Sequence, residues 1–140
     1  MRRAGPGYPR RTEQSATRRF APDPAEIAHA RRMVRGRLEA WGLEAELATV
    51  ELAVSELVTN AIVHGRGLID VSLTRVDGRL RLDVSDEGAR DATGFPAARG
   101  DRDDLGGWGL QLVDRLADDW GVGQWGGRTH VWMERPAPDL

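Results

Sequence analysis

The 140-residue chain contains no cysteine. Disulfides, thiolate zinc sites and cysteine nucleophiles are therefore excluded together, and the composition suits a reducing compartment. Lysine is absent as well: all 20 basic residues are arginine. A P-loop needs its lysine to reach the phosphates, and Schiff-base chemistry needs a lysine amine, so both are excluded. The lysine of the eukaryotic-type protein-kinase fold is missing for the same reason. No uninterrupted apolar run approaches the roughly 20 residues that cross a bilayer. The Arg-Arg pairs near the start are not followed by an apolar core, so they do not form a signal peptide. The formal net charge is −2, which gives no general attraction to nucleic acid. A cytoplasmic protein without a direct nucleic-acid or membrane partner is the expectation.

What is present fits one ordinary domain, with 40% hydrophobic residues for a core. Residues 1–14 are rich in Arg, Pro and Gly and read as a disordered tail. Residues 15–136 read as the folded domain, and 137–140 as a short C-terminal tail. Ala16 to Phe20 suits an edge strand. Asp23 and Pro24 make a helix start, as N-cap and first helical residue. Ile27, Ala30, Val34, Leu38 and Trp41 then share one helical face, and Gly42 ends it. Arg31, Arg32, Arg35 and Arg37 cover much of the rest. They form either a solvated face or a surface for an acidic partner.

A second helix begins near Glu44 and ends at Gly65. Leu47, Val50, Val54, Leu57, Val58 and Ala61 recur at helical spacing. Glu56, Asn60 and His64 sit four residues apart and stack along one row, roughly opposite that stripe. A carboxylate and a carboxamide one turn apart can serve a magnesium-phosphate ligand, because magnesium takes oxygen ligands and keeps most of its waters. The alternative is a plain wet face.

Two alternating runs follow: Ile69, Val71 and Leu73, then Leu80, Leu82 and Val84. Asp77-Gly78 joins them as a hairpin. Asp86 shares the parity of Leu80, Leu82 and Val84, so a strand that persists turns it inward. A buried carboxylate needs hydrogen-bond donors. The amino group of an adenine is one such donor, and an internal arginine is another. Gly88 would let backbone lie close to a flat base. The alternative is an ordinary turn after Ser85. Residues 89–105 form a long polar connection of the kind used for lids and binding loops. Asp101, Asp103 and Asp104 in it are expected to point outward.

Gly106-Gly107-Trp108-Gly109 then opens a helix with Leu110, Val113, Leu116, Ala117 and Trp120 on its apolar face and Gly121 at its close. Glycines leading into a helix N-terminus offer unpaired N–H groups to an anion without any lysine. Two last strands, around 122–125 and 129–134, are joined by Gly126-Gly127. Thr129 brings a hydroxyl inward, either beside a ligand or satisfied by backbone.

Glu56 to Gly65, Asp86 to Gly88 and Gly106 to Leu110 resemble the N, G1 and G2 boxes of the GHKL ATPase superfamily. The spelling Glu-Leu-Val-Thr-Asn-Ala-Ile-Val-His-Gly is most similar to the bacterial anti-sigma factor serine kinases. The resemblance runs from about Ala16 to Arg135. It implies a Bergerat ATP-binding fold: an α/β two-layer sandwich with a mixed, mostly antiparallel sheet and helices on one face. It also implies ATP with Mg2+. Asn60 would ligate the metal, and Asp86, Gly88 and Thr129 would meet the adenine. Gly107, Gly109 and Leu110 would receive the phosphates, and His64 falls within the same ATP-binding box. Glu56 would be the catalytic base toward a serine of an anti-anti-sigma partner. Arg31 would meet partners, among them a sigma factor, and a homodimer is implied too. In the G1 box a second glycine is replaced by Arg90, a departure that bears on the fit around the adenine. Two other readings stay open. One is a non-catalytic regulatory module acting by contact alone. The other is a detached histidine-kinase catalytic domain.

Overall fold

The computed structural model describes residues 13–88 and 110–137. Residues 1–12 of the expected tail, Arg90, Asp101, Asp103 and Asp104 and the glycine-rich turn at 106–109 lie outside them, while Gln14, assigned to the tail, opens the first strand. Five strands are described: β1 (Gln14–Phe20), β2 (Ile69–Val76), β3 (Arg79–Asp86), β4 (Asp119–Trp125) and β5 (Arg128–Pro136). They form one sheet in the order β1-β2-β3-β5-β4, and each neighbouring pair is antiparallel. The expected α/β sandwich with a mixed, mostly antiparallel sheet is found, and among the described strands every pair is antiparallel. Helices α1 (Glu26–Ala40), α2 (Leu47–His64) and α3 (Leu110–Leu116) complete the α/β sandwich, with a 3-10 turn at Glu44–Glu46 ahead of α2.

Alternation decides which face of the sheet is covered. Ile69, Val71 and Leu73 on β2 and Leu80, Leu82 and Val84 on β3 are all buried, while the residues between Ile69 and Leu73 are half-exposed. The buried set meets Ala30, Val34 and Leu38 of α1 and Val50, Ala53, Val54, Leu57, Val58 and Ala61 of α2 in one core. Each fully buried Val or Leu stabilises by about 1.5–3 kcal/mol relative to exposure, so the core fixes the layers. Glu44–His64 spans 21 residues and holds an 18-residue window of mean hydropathy 1.2, long and apolar enough by composition to cross a bilayer. Glu51 and Glu56 interrupt it, so it is no uninterrupted apolar run. In the fold it is the central helix of the domain, packed on α1, α3 and the sheet.

Both hairpins use two residues of positive φ, Asp77-Gly78 (54° and 77°) and Gly126-Gly127 (63° and 75°). That is the turn whose twist matches the flanking strands. Asp23 Oδ1 accepts the Ala25 N–H at 2.9 Å, so Asp23 steers the chain toward α1. The helix itself starts at Glu26, and Pro24 lies in the turn before it. The last helix is shorter than its apolar spacing suggests. It stops at Leu116, because the Asp118 N–H bonds the Glu134 carbonyl at 2.8 Å and the chain pairs with β5 from Asp119 onward. Trp120 therefore packs on the core from a strand and donates its indole N–H to Asp114 at 2.8 Å. Gly121 closes no helix; a Cβ there would lie 2.5 Å from the Trp132 indole, which covers it. Ala137 is buried, and its N–H bonds the Gly78 carbonyl at 2.8 Å, tying the end of β5 to the first hairpin.

On the open face Arg19 of β1 grips Asp70 of β2 through Nε and Nη2 at 2.7 and 3.0 Å. These hydrogen bonds hold the Asp70 carboxyl below the usual carboxylate range, against partial desolvation and with help from Arg128. A depressed folded-state value contributes stability that is present above the unfolded pKa and lost as pH falls through the folded one. We expect Asp70→Asn to lower the urea midpoint at neutral pH. The gap to the parent chain should hold down to about pH 4 and close below it. Paired denaturation curves across that range would check this, and a gap independent of pH would refute the linkage.

Candidate functional site

The strand β3 persists through Asp86, so parity turns that carboxylate inward, where it is 4% exposed. Its Oδ1 accepts the Gly88 N–H at 2.6 Å and the Arg66 N–H at 3.2 Å. Two backbone donors thus compensate a charge taken out of water. Gly65 ends α2 with φ −97°, a value any residue adopts. Its reason for being glycine lies elsewhere: a Cβ there would stand 2.5 Å from Asp86 Cγ and Oδ2 and 2.6 Å from the Ala61 carbonyl. The absent methyl makes room for the acid. Thr129 is Asp86's direct partner on β5 and is 1% exposed. Its hydroxyl donates to the Gly88 carbonyl at 3.1 Å and accepts from Gln124 Nε2 at 3.3 Å. Asp86, Gly88 and Thr129 are therefore brought together as one bonded cluster.

Helix α2 presents the polar row differently from a simple helical wheel. Its wet side is Ala48, Leu52, Thr59 and Val63, all exposed. Glu56, Asn60 and His64 are half-buried on its flank. Asn60 Nδ2 is buried and has no hydrogen-bond partner among the described residues. Leaving such a group unpaired costs about 1–3 kcal/mol. Turning the amide over would place its oxygen at the same point, since the two ends are assigned by their partners. Leu110 opens α3 with its side chain in the core, 3% exposed. Gly107 and Gly109 lie outside the described residues.

One member of this corner escapes a sequence reading. Arg128, the first residue of β5, donates from Nε to Ser85 Oγ at 2.9 Å and from Nη2 to the carbonyls of Leu68 (2.6 Å) and Ser85 (2.9 Å). It also stands 3.5 Å from Asp70 and 3.7 Å from Glu87. Glu87 in turn accepts the Leu68 N–H at 3.0 Å and lies over Gly67, whose φ is +73°. Arg128 thus fastens β3 to the α2–β2 turn from the open face. Its adjacency to Thr129 is the single local signal, and no spacing rule converts that into a role.

Arg31 lies on another flank of the molecule. It is exposed on α1, and its Nη2 is 3.5 Å from Glu51 Oε1. Arg35 Nη2 is 2.6 Å from Glu51 Oε2, an ion pair without good hydrogen-bond direction. Glu51 is 7% exposed, so the two guanidinium groups compensate a buried acid between α1 and α2.

The profile of the histidine kinase-like ATPase domain matches residues 20–135. The chain belongs to that family. Over 48 residues it is 44% identical to the anti-sigma F factors of Geobacillus stearothermophilus and Geobacillus kaustophilus. That match covers 31% of this chain and 33% of each relative, so the chain spans about a third of the curated relatives it matches. The crystal structure of the RsbU and RsbW domains of a Mycobacterium tuberculosis protein shares the fold, with TM-score 0.64 at 22% identity. That likeness covers 91% of this chain and 34% of the other.

In this histidine kinase-like ATPase domain Asn60 carries a buried polar atom with no partner among the described residues, and the approach to Asp86 is kept bare at Gly65. Gly65→Ala should destabilise the domain by about 1–3 kcal/mol through overpacking. In Gly65→Ala/Asp86→Ala the acid is no longer in the way and only the Ala61 carbonyl remains, so the combined loss should fall short of the sum by about 0.5 kcal/mol or more. Urea denaturation of the four proteins measures this, and strict additivity would detach Gly65 from Asp86.

Proposed function

We propose that the domain binds ATP with Mg2+ and works as an anti-sigma factor with protein-serine kinase activity. On this reading it phosphorylates an anti-anti-sigma partner and sequesters a sigma factor, as a cytoplasmic homodimer. The observation that carries the reading is the buried Nδ2 of Asn60, which has no hydrogen-bond partner among the described residues, one turn from Glu56 on a helix. Asp86 accepts a hydrogen bond from the adenine amino group, and Gly88 lets backbone lie against the ring. Thr129 supports both from the next strand. The Asn60 oxygen serves as the protein ligand of the metal, and His64 continues the same row. Gly107, Gly109 and Leu110 receive the phosphates. When bound there, Mg2+ would supply compensation of phosphate charge. Glu56 accepts the proton of the partner's serine hydroxyl, a role worth roughly 10²–10⁴ in rate. Arg31 on α1 contributes to partner contact.

Labelled ATP and the cognate antagonist test this directly. We expect transfer to serine. Glu56→Gln should slow it by about 10²–10⁴-fold with nucleotide affinity kept, and Asn60→Ala should weaken nucleotide binding itself. Transfer undiminished in Glu56→Gln would remove the catalytic role. Arg90 in the G1 box favours a second reading, a regulator that acts by contact and binds nucleotide weakly or not at all. Calorimetry separates the two: partner affinity indifferent to ATP, with no transfer, selects the second.

A further inference from the structure

Two consecutive residues at the start of β5 serve one corner from opposite faces of the sheet. Alternation sends Thr129 inward, where its hydroxyl donates to the Gly88 carbonyl at 3.1 Å. It sends Arg128 to the open face, where the side chain is 15% exposed. A guanidinium carries its donors in a rigid planar fork. Nη2 has two hydrogens and reaches two carbonyls, Leu68 at 2.6 Å and Ser85 at 2.9 Å. Nε completes the grip on Ser85 through Oγ at 2.9 Å. One carbonyl belongs to the α2–β2 turn and the other to β3, so a single nitrogen fixes the distance between turn and strand. On the covered side that distance decides a bond. The Gly88 N–H meets Asp86 Oδ1 at 2.6 Å, and the Arg66 N–H meets the same oxygen at 3.2 Å. The longer bond stands at the upper end of the N–H···O range, and it is the one that joins the turn to the strand. Glu87 helps from its own side, with its N–H on the Arg66 carbonyl at 2.8 Å and its carboxylate on the Leu68 N–H at 3.0 Å. Arg128 Nη1 stands 3.7 Å from that carboxylate as well.

We infer that Arg128 is a positioning residue for purine recognition: it holds the Arg66–Leu68 turn at the height that keeps the Arg66 N–H on Asp86, and so keeps that carboxylate oriented. This rests on the proposed nucleotide reading, in which Asp86 accepts from the adenine amino group. Arg128 acts through other residues, because its side chain lies on the opposite face of the sheet from Asp86 and Thr129. Two donors from different connections stop the Asp86 carboxylate from turning about its own side-chain bonds. With the Gly88 N–H alone it can swing, and a hydrogen bond weakens steeply once its partner leaves the line. Charge does not account for the grip. A lysine would offer the same charge to Asp70 and Glu87, but a compact ammonium on a flexible stem has no planar fork to span Ser85 Oγ and both carbonyls.

Calorimetric titration of the full chain with ATP and with purine riboside triphosphate tests the inference. The second ligand has the same phosphates and ring system but lacks the amino group. The parent should prefer ATP by at least about tenfold, as one hydrogen bond to a charged acceptor supplies. Arg128→Met keeps the stem and removes the fork. It should bind ATP about tenfold more weakly and take the two ligands nearly alike. A role in stability alone would lower the melting temperature and leave the preference standing, so a preference kept by folded Arg128→Met overturns the inference. Arg128→Lys is the milder change and carries the comparison if the Met variant does not fold. It should cut the preference by at least about threefold, and a parent-like preference there would show that charge suffices and overturn the positioning role. Amide exchange in the free protein gives a readout without nucleotide. The Arg66 amide should exchange about tenfold faster in either variant, while amides in the middle of β2 keep their rates. Unchanged exchange at Arg66 overturns the inference even where affinity falls. A parent chain that binds no ATP, or binds both ligands equally, removes the adenine role of Asp86 and the inference with it.

Discussion

A single buried carboxylate organises one end of this domain. Asp86 stands at the end of β3, and its charge is compensated by N–H groups from Arg66 and Gly88. Those donors belong to different connections, so one acid ties the exit of α2 to the exit of β3. Glu87 repeats the device one residue on: its N–H bonds the Arg66 carbonyl, and its carboxylate takes the Leu68 N–H. Gly65 and Gly67 are bare where these two acids lie against them. The corner is therefore set by acids meeting backbone, a geometry with directions and lengths, rather than by apolar contact, which has neither. Because the corner holds the end of α2, it also sets where Asn60 and Glu56 stand relative to the sheet.

Much of this was readable from residue order. Period-two alternation located β2 and β3, and parity alone turned Asp86 inward. Period 3.6 found α1 and α2, and Asp-Gly and Gly-Gly marked the hairpins. The failures have physical causes. Trp120 continues the helical spacing of Val113 and Leu116, yet the register with Glu134 claims that stretch for a strand, and such pairing is invisible locally. Gly65 gave the right boundary for an incomplete reason, because its constraint comes from a side chain 21 positions later. Arg128 reaches residues 43 and 60 positions away, beyond any motif window. Asn60 looked wet on a wheel, which shows one helix alone, yet in the fold it is half-buried.

The open face of the sheet links two regions that the covered face keeps apart. Arg19 on the edge strand and Arg128 at the corner both approach Asp70, at 2.7 and 3.5 Å. A line of alternating charge thus runs from β1 across β2 to the cluster around Ser85 and Glu87. Further along, Trp132 lies over Gly121 and under the Arg81 guanidinium, 4.4 Å from its centroid. Trp125 stacks on His130, which bonds Asp83. This surface is held flat by charge and rings, and it needs no helix to cover it.

The Glu51 arrangement has a mechanical corollary. Helix α2 is one stiff rod that bears Glu51 toward α1 and the Glu56–Asn60 row on a different flank. An external acid that captured Arg31 would strip the buried carboxylate of one of its two counter-charges. Water would have to enter the seam, or α1 would have to roll until Arg35 alone sufficed. Either adjustment torques the rod, with the acid-fastened corner as its fulcrum. A touch on the outer helix would then be felt as a change of pitch in the row that faces away from it.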